Sequence, residues 1–397
     1  MKKYRSIIDI GESARDAAKL LATASSEQKN LALLKMSDHI GSSTSKILDE
    51  NKKDLKQAEE KNISPAFLDR LMLNKDRLDG IRNSLEEIAS FEDPIGKVQS
   101  SWERPNGLKI SRVSTPLGVI GVIFESRPNV TADAGALCLK SGNASILRGG
   151  SDSIHSSLAI GECLEKGLYD AKLPTCAIQV INSTDREIVK HMLNGMNKNI
   201  DVIVPRGGKS LVAEVEKEAK VPVFGHLEGI CHIYIDKFAK KYKAIEISHN
   251  AKLRRPGICG AVETILIHHE VAKKILPELI DNLTHNNCEV RGCETTQKIN
   301  PNVVPAVQKD WTTEYLLPIV SIKVVKSLNE AISHIEEFSS GHTESIITEN
   351  DERAEIFQKH IDSAIVMHNV STQFADGGEF GLGGEIGIAT GKFHARG

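Results

Sequence analysis

The chain has 397 residues, of which 40% are hydrophobic and 26% are charged, and its formal net charge is −3. These values are typical of a globular protein of two or three domains, and they exclude the basic excess of most nucleic-acid-binding proteins. Since no run of about 18 apolar residues occurs, no membrane span is predicted. Asp9 and Glu12 interrupt the N-terminal segment before any apolar stretch, so we expect no signal peptide.

The seven cysteines form no disulfide or zinc pattern, because their number is odd and no pair has CxxC spacing. We therefore expect free thiols and a reducing compartment, the cytoplasm. The adjacent pair His268-His269 has no carboxylate or cysteine at matching ligand spacing, so no metal site is predicted.

The first 90 or so residues are predicted to be helical. Between residues 12 and 40, apolar side chains recur at helical spacing, with Lys, Glu and Gln between them. Further on, Ser64-Pro65 is typical of an N-cap and first helical residue ahead of another apolar face. This region is interpreted as scaffold.

Residues 98–114 are predicted to form a β-hairpin. Two alternating runs flank Pro105-Asn106-Gly107, and Asn-Gly in this setting is a strong hairpin signal because both residues tolerate positive φ. A hairpin between a helical region and an α/β region favours a role in oligomer contacts, with a plain surface hairpin as the alternative.

From residue 116 onward, short Val- and Ile-rich runs alternate with helical stretches, which indicates βαβ units with mainly parallel sheet. Nine strands are predicted, at residues 118–124, 144–147, 177–181, 201–204, 232–235, 263–267, 319–325, 345–348 and 364–367. Nine strands exceed what one doubly wound sheet normally contains, so we expect an α/β protein with two α/β domains.

Two basic strand-to-helix turns are predicted to bind the phosphates of a dinucleotide. Their residues are Arg206, Gly207, Gly208, Lys209 and Ser210 in one turn, and Arg148, Gly149, Gly150 and Ser151 in the other. Such turns present backbone N–H groups and the positive end of a helix dipole to an anion. Neither turn is a P-loop or a GxGxxG motif, and tight turns without a ligand are the alternative. Their positive charge favours NADP over NAD.

Cys259 is the predicted nucleophile. It lies in a Pro/Gly loop after Arg254 and Arg255, where access is expected and where the two arginines would stabilise a thiolate. The rival is Cys231, but that residue begins an apolar strand, which favours burial.

Residues 124–131 place polar groups at the end of a strand and the start of a helix, where α/β proteins bind ligands. Asn129 is predicted to donate to an oxyanion, and Arg127 to hold a carboxylate or phosphate. Capping by Asn129 and a surface ion pair of Arg127 are equally plausible alternatives. The glycine-rich segment 374–385 indicates a loop around a ligand, with a flexible tail as the alternative.

Several stretches, spread over nearly the whole chain, resemble the γ-glutamyl phosphate reductases, a family within the aldehyde dehydrogenase superfamily. They are residues 116–131, 137–144, 146–151, 204–208, 341–343, 374–383 and 394–397. The resemblance implies an aldehyde dehydrogenase-like fold with four parts. These are a nucleotide-binding domain (1–97 and 115–227), an oligomerisation hairpin (98–114), a catalytic domain (228–365) and a segment returning to the first domain or the oligomer interface (366–397).

The resemblance also implies a reaction. Cys259 would attack L-glutamyl 5-phosphate, and NADPH would reduce the thioester to L-glutamate 5-semialdehyde. Glu314, in a Glu-x-x-x-Pro segment, would contact the nicotinamide ribose, while Arg127, His394 and Arg396 would bind substrate. The implied partners are further copies of the chain and glutamate 5-kinase. One departure is Gly260, where the family usually has Asn after the cysteine.

The residue at position 226 distinguishes an acyl-phosphate reductase from a hydrolytic aldehyde dehydrogenase. Hydrolytic aldehyde dehydrogenases have a glutamate about 34 residues before the cysteine, which activates water, whereas this chain has His226, 33 residues before Cys259. An enzyme that exchanges its thioester with phosphate needs no such base. The alternatives are a non-phosphorylating aldehyde dehydrogenase, a reductase that uses a coenzyme A thioester, and a non-catalytic partner of the kinase.

Overall fold

The computed structural model describes residues 6–63 and 65–392. The chain divides into two compact units. Unit one contains the residues up to Gly225 together with Gly383–Gly387, and unit two contains His226–Leu382 together with the residues from Ile388 onward. Each unit contains a parallel sheet covered by helices, so the predicted α/β class is confirmed.

Unit one begins with helices, as the periodicity predicted. They are α1 (Ile7–Leu21), α2 (Ser26–Ser42), α3 (Thr44–Glu60), α4 (Pro65–Leu71) and α5 (Lys75–Ser90). The side chains of Ser6 and Ser25 accept hydrogen bonds from the third residue of α1 and of α2, and both helices have a complete capping box. The predicted N-cap Ser64 lies outside the described residues.

The predicted hairpin is formed by β1 (Val98–Glu103) and β2 (Lys109–Val113), which pair antiparallel with Trp102 opposite Ile110. Gly107 in the turn has a φ of +81°, a conformation that favours glycine. Val98, Trp102 and Val113 are exposed in the single chain. An isolated hairpin with exposed apolar side chains buries little surface of its own.

A four-stranded parallel sheet forms the centre of unit one. Its strands are β3 (Val119–Phe124), β4 (Ala144–Gly149), β5 (Ile178–Val180) and β6 (Val202–Arg206), in the order β5-β4-β3-β6. The connecting and following helices are α6 (Val130–Lys140), α7 (Ile154–Asp170), α8 (Arg186–Leu193) and α9 (Lys209–Glu218). β4 and β5 lie on one side of β3, and β6 lies on the other side, so the order of the strands reverses at β3. Ligands of doubly wound sheets bind at such a switch point.

Unit two contains a seven-stranded parallel sheet in the order β10-β9-β11-β8-β7-β12-β13. Its strands are β7 (Cys231–Ile235), β8 (Val262–His268), β9 (Glu289–Gly292), β10 (Val304–Pro305), β11 (Ile319–Val325), β12 (Thr343–Ile347) and β13 (Ile365–His368). Its helices are α10 (Lys241–Leu253), α11 (His269–His285), α12 (Glu294–Ile299), α13 (Leu328–Phe338) and α14 (Asp351–His360). All nine predicted strands are present. Two further strands, β9 and β10, were not predicted, because they have only four and two residues.

The two faces of this sheet are buried in separate apolar clusters. Ile233 and Ile235 pack with α10 and α11 on one face, and Tyr234 packs with α13 and α14 on the other. This alternation follows from the two-residue repeat of a strand and explains the continuous apolar runs in the sequence. No helix in the described part of the chain is both long and apolar enough to cross a bilayer.

The segment after residue 365 differs from the predicted domain boundary. Val366 and Met367 pair with β12, so this stretch belongs to unit two, and only Gly383–Gly387 groups with unit one. Gly384 explains the close packing of this short segment, because a Cβ at that position would lie 2.5 Å from Leu137 Cδ2 on α6.

His334 on α13 is a buried histidine of unit two. Its ring packs against Phe338, with centroids 4.6 Å apart, and its Nδ1 accepts a hydrogen bond of 2.9 Å from Lys323 Nζ. Burial, with contributions from the charges of His232 and Lys323, lowers the pKa of His334 to about 2. The ring is therefore neutral in the folded protein.

We expect His334 to make the stability of the protein depend on pH. Its pKa is lower when folded than in the unfolded chain, so its full contribution is present above about pH 6.5 and is lost as the pH falls toward 2. The free energy of unfolding should fall by about 1.4 kcal/mol per pH unit from this residue. Urea titrations of His334→Gln, which keeps an acceptor for Lys323, should show a shallower decline. The exposed His285→Gln is the control, and equal slopes in all three proteins would contradict the prediction.

Candidate active site

Cys259 lies in the loop between α10 and β8 and is half-buried. The loop approaches the backbone of Gly229 so closely that a Cβ at residue 229 would lie 2.2 Å from the carbonyl oxygen of Cys259. A Cβ at Gly260 would lie 3.2 Å from the carbonyl oxygen of Thr372, so the position after the cysteine is also crowded. The absence of side chains at Gly229 and Gly260 thus helps to place the thiol.

Two histidines of unit two lie beside Cys259. One ring nitrogen of His226, one of His342 and the Cys259 Sγ all lie within 4.8 Å of one another. The two imidazole rings meet edge to face, with centroids 4.6 Å apart. His226 Nδ1 lies 2.7 Å from the carbonyl oxygen of Ile388, so this nitrogen carries the proton and Nε2 has a lone pair.

His342 is fully buried. Burial, with a contribution from His226, lowers the pKa of His342 to about 3, so the ring is neutral near pH 7. Its Nδ1 lies 2.9 Å from Thr343 Oγ1, while its Nε2 has no hydrogen-bond partner among the residues that the structure describes. The Cys259 thiol therefore lies beside two imidazoles.

Cys231, the rival thiol, supports the loop. Its Sγ donates to the carbonyl oxygen of Cys259 at 3.1 Å, and burial raises its pKa well above the ordinary value. A buried, protonated thiol is a poor nucleophile. The structure therefore favours Cys259 over Cys231 as the reactive group.

Glu314 lies at the same glycine. Its Oε1 accepts a hydrogen bond of 2.9 Å from the N–H of Gly229, and Ser340 Oγ accepts one from the next N–H, of Ile230. Two of the predicted site residues, Cys259 and Glu314, are thus brought together through Gly229.

The arginines before Cys259 differ in part from the prediction. Arg254 forms an ion pair of 2.7 Å with Glu379, and its guanidinium lies 5.2 Å from the ring centroid of Phe374. Its charge is therefore compensated by a carboxylate, which weakens the expected support for the Cys259 thiolate. Arg255 is exposed.

The predicted phosphate turns lie at the carboxyl edge of the four-stranded sheet in unit one. Phe124, the last residue of β3, is in register with Gly149 on β4 and with Arg206 on β6. The turns that follow β4 and β6 therefore flank the residues that follow β3. The parallel register brings together the predicted cofactor residues, namely Arg148, Ser151, Gly207, Gly208, Lys209 and Ser210.

The turn after β6 is exposed and holds a carboxylate that the sequence did not predict. Glu125 Oε2 accepts a hydrogen bond of 3.2 Å from the N–H of Gly208, and a Cβ at Gly207 would lie 2.6 Å from the same oxygen. Lys209 and Ser210 are the first residues of α9. In this conformation the Glu125 carboxylate accepts the hydrogen bond of the Gly208 N–H, which is predicted to bind a phosphate of the cofactor.

The turn after β4 is held by Asp152, which accepts a hydrogen bond from Ser126 at the end of β3. Ser151 is exposed, whereas Arg148 is half-buried and donates from Nη2 to the carbonyl oxygen of Thr184 at 3.5 Å. Burial lowers the pKa of Arg148. One hydrogen-bond donor of the Arg148 guanidinium is therefore used by the protein backbone.

Arg127 and Asn129 line a cavity of about 470 Å³ in unit one. Asn129 occupies the N-cap position of α6, but its side chain makes no capping hydrogen bond; Nδ2 donates instead to Asp133 Oδ2 at 2.9 Å. The capping alternative for Asn129 is therefore wrong. An amide nitrogen carries two hydrogens, so one remains for a second acceptor.

The family model for the aldehyde dehydrogenase family matches residues 7–290 and 288–387. The chain belongs to the aldehyde dehydrogenase family. Within the family it is 56% identical to a γ-glutamyl phosphate reductase of Allorhizobium ampelinum over 98% of this chain and 92% of the relative, and 55% identical to that of Brucella suis over the same shares. The crystal structure of γ-glutamyl phosphate reductase from Thermotoga maritima has a TM-score of 0.94 and 43% identity, covering 99% of this chain and 94% of that one. The predicted resemblance and the aldehyde dehydrogenase-like fold are confirmed.

Some features of this aldehyde dehydrogenase family member were not predicted. His342, Gly229 and Glu125 were given no role, although His342 lies in the stretch 341–343 that carried the resemblance. Only the packing of loops shows that these residues contact predicted ones. The predicted substrate residues His394 and Arg396 lie outside the described residues.

Proposed function

We propose that this protein reduces L-glutamyl 5-phosphate to L-glutamate 5-semialdehyde with NADPH and releases phosphate, as the second step of proline biosynthesis from glutamate. The observation that carries the proposal is the environment of Cys259. The thiol lies beside His226 and His342, and the position of the water-activating glutamate is taken by His226. The high identity to proteins named γ-glutamyl phosphate reductase supports the same substrate.

The proposed chemistry has two steps. The Cys259 thiolate attacks the γ-carbonyl carbon, and the tetrahedral oxyanion collapses with cleavage of the bond to phosphate, leaving a thioester. Bound NADPH would supply the hydride that reduces the thioester carbonyl, and collapse of the thiohemiacetal at Cys259 would release the aldehyde and regenerate the thiolate. The lone pair of His226 Nε2 accepts the thiol proton before the first attack.

NADPH would be held at the carboxyl edge of the four-stranded sheet. Arg148, Ser151, Gly207, Gly208, Lys209 and Ser210 are the proposed ligands of its phosphates and ribose, and Glu314 of its nicotinamide ribose. The N–H of Gly208 becomes available to a phosphate when Glu125 turns away from it. NADPH supplies the hydride, and the basic side chains of the turns favour the 2′-phosphate.

Substrate would be bound by Arg127, His394 and Arg396. The backbone N–H of Cys259 and the second amide hydrogen of Asn129 are the proposed donors to the oxyanion of both tetrahedral species. The cavity lined by Arg127 and Asn129 supports the assignment of these two residues, because it contains both a guanidinium for a carboxylate and an amide for an oxyanion.

The same proposal includes partners and location. The exposed apolar side chains of the β1–β2 hairpin favour burial against another copy of the chain, which makes a homo-oligomer the expected form. Glutamate 5-kinase, whose product is the substrate, is a further proposed partner. Seven free thiols fit the cytoplasm.

The reverse reaction tests the proposed function. Purified protein is incubated with glutamate 5-semialdehyde and NADP⁺, with phosphate, with coenzyme A, or with neither, and formation of NADPH is measured by absorbance. We expect reduction of NADP⁺ only with phosphate, because phosphate is needed to cleave the thioester. Phosphate-independent reduction would instead identify a hydrolytic aldehyde dehydrogenase, and a requirement for coenzyme A would identify an acylating one.

A further inference from the structure

The group formed by His226, Cys259 and His342 has the composition of a zinc site. Its three potential ligand atoms, two imidazole nitrogens and one sulfur, lie within 4.8 Å of one another. Zn²⁺ prefers these ligand types, and sites with three protein ligands leave a fourth position for water or another molecule. No metal site is predicted from the sequence at these residues, because they lie far apart in the chain.

The hydrogen bonds around the two histidines orient them as metal ligands are oriented. His226 Nδ1 donates to the carbonyl oxygen of Ile388, and His342 Nδ1 lies within hydrogen-bond distance of Thr343 Oγ1. In His226 this leaves Nε2 with its lone pair, and zinc binding at Nε2 of His342 would place the proton of that ring on Nδ1. Histidine ligands of zinc are held in this way, by a hydrogen bond from the other ring nitrogen.

His342 gives an independent sign of a missing partner. The residue is fully buried, yet its Nε2 makes no hydrogen bond within the described part of the chain. A buried polar atom without a partner is costly, and most such atoms in proteins are satisfied by protein groups, water or an ion. An ion bound between the two imidazoles and the thiolate would satisfy it.

We propose that His226, Cys259 and His342 bind Zn²⁺ and that the bound ion blocks Cys259. Zinc–nitrogen bonds of about 2.0–2.1 Å and a zinc–sulfur bond of about 2.3 Å place tetrahedral ligand atoms about 3.3–3.6 Å apart. The three atoms now lie within 4.8 Å of one another, so zinc binding requires them to approach by at most about 1.5 Å. Binding replaces the proton of the thiol, and the zinc-bound sulfur no longer attacks an acyl group.

The site would act as an inhibitory switch. Cys259 and His226 are half-buried, which leaves a route for an ion, and loss of the ion restores the thiol of Cys259. Metal binding needs only these three side chains, so it goes beyond the proposed reaction and does not rest on it.

Cobalt binding tests the site directly. Full-length protein freed of metal with a chelator is titrated with Co²⁺, and sulfur-to-cobalt charge-transfer absorption is followed, with Zn²⁺ as the competitor. We expect one equivalent of Co²⁺ with a thiolate signal. Because changes outside the ligand set already weaken metal sites about 10–100-fold, His226→Gln should weaken binding at least about 100-fold. Cys259→Ser should remove the thiolate signal.

His269→Gln provides the matched control, because His268, His269 and Glu270 form another group of potential ligands in unit two. It should bind metal as the wild type does. Loss of binding in His269→Gln, or unchanged binding and absorption in both His226→Gln and Cys259→Ser, would overturn the proposal. Both of these residues are half-buried, and the folding of each variant is checked by circular dichroism.

Alkylation gives a second readout that does not depend on activity. Zn²⁺ should protect Cys259 from iodoacetamide at least about tenfold, while the half-buried Cys176 and Cys293 in the same sample serve as internal references. In His226→Gln the protection should disappear. Equal alkylation of Cys259 with and without Zn²⁺ would overturn the site. Phosphate-dependent activity of the metal-free protein is measured separately, so failure of the reaction and failure of the metal site are distinguishable.

Discussion

Replacement of Cys259 by alanine is expected to lower the rate of phosphate-dependent NADP⁺ reduction by roughly 10³-fold or more. The reason is that the thioester cannot form without the sulfur, and loss of a covalent nucleophile removes most of the catalytic effect of such a site. Binding of NADPH, measured by its fluorescence, should remain, because the proposed phosphate ligands belong to the turns after β4 and β6.

The other half-buried cysteines supply the control for this experiment. Cys176→Ala and Cys293→Ala should retain activity, because neither thiol belongs to the group around Cys259. Cys231→Ala should retain part of the activity, since it removes the hydrogen bond from Cys231 Sγ to the carbonyl oxygen of Cys259 and the contact of 3.6 Å between Cys231 Sγ and His342 Nδ1 but leaves the Cys259 thiol in place. Full activity of Cys259→Ala would show that another group is the nucleophile.

Replacement of Gly229 by alanine is expected to lower kcat about 100-fold, the effect of a displacement of about 1 Å at a reacting atom. The added Cβ would lie 2.2 Å from the carbonyl oxygen of Cys259 and 2.8 Å from its Cα. Both atoms are backbone, so the Cys259 loop has to move. Steady-state kinetics should show the effect in kcat, and overpacking should lower the free energy of unfolding by about 1–3 kcal/mol.

Gly257→Ala is the matched control, because this glycine lies in the same loop as Cys259 and a Cβ there would meet the carbonyl oxygen of Leu316 at 3.8 Å, an ordinary van der Waals distance. It should leave kcat nearly unchanged and raise the free energy of unfolding by about 0.4–1 kcal/mol, because alanine lowers the entropy of the unfolded chain. Wild-type kcat in Gly229→Ala would mean that the close contact between Gly229 and Cys259 has no part in placing the thiol.

The proposed functional groups lie at the carboxyl edge of the sheet in unit one and at the amino edge of the sheet in unit two. In unit one, the phosphate turns follow β4 and β6 and lie at the carboxyl edge, as expected for a doubly wound sheet. In unit two, Gly229, Cys259 and His342 precede β7, β8 and β12, so the thiol lies at the amino edge. A search of carboxyl edges alone would have missed Cys259.

Much of the fold follows from local sequence. The Val- and Ile-rich runs determined nine strands, because a strand buried on both faces needs continuous apolar side chains. Asn106-Gly107 determined the hairpin, since Gly107 in its turn has a φ of +81°, which favours glycine. The phosphate turns could also be predicted as one group, because parallel strands in neighbouring βαβ units end at the same edge. Cys259 could also be predicted as the nucleophile from the sequence. It lies in a Pro/Gly loop, its rival Cys231 begins an apolar strand, and the family resemblance points to the same residue.

The surroundings of Cys259 were decided by the tertiary structure alone. His226 and Gly229 come from the loop before β7, Glu314 from the loop before β11 and His342 from the loop before β12. No periodicity or spacing encodes which of these loops meet. The same holds for Glu125, whose carboxylate binds the N–H of Gly208, 83 residues away. Local patterns record how one segment buries its apolar face, whereas contacts between loops depend on the packing of the whole unit, and those contacts place and shield the thiol.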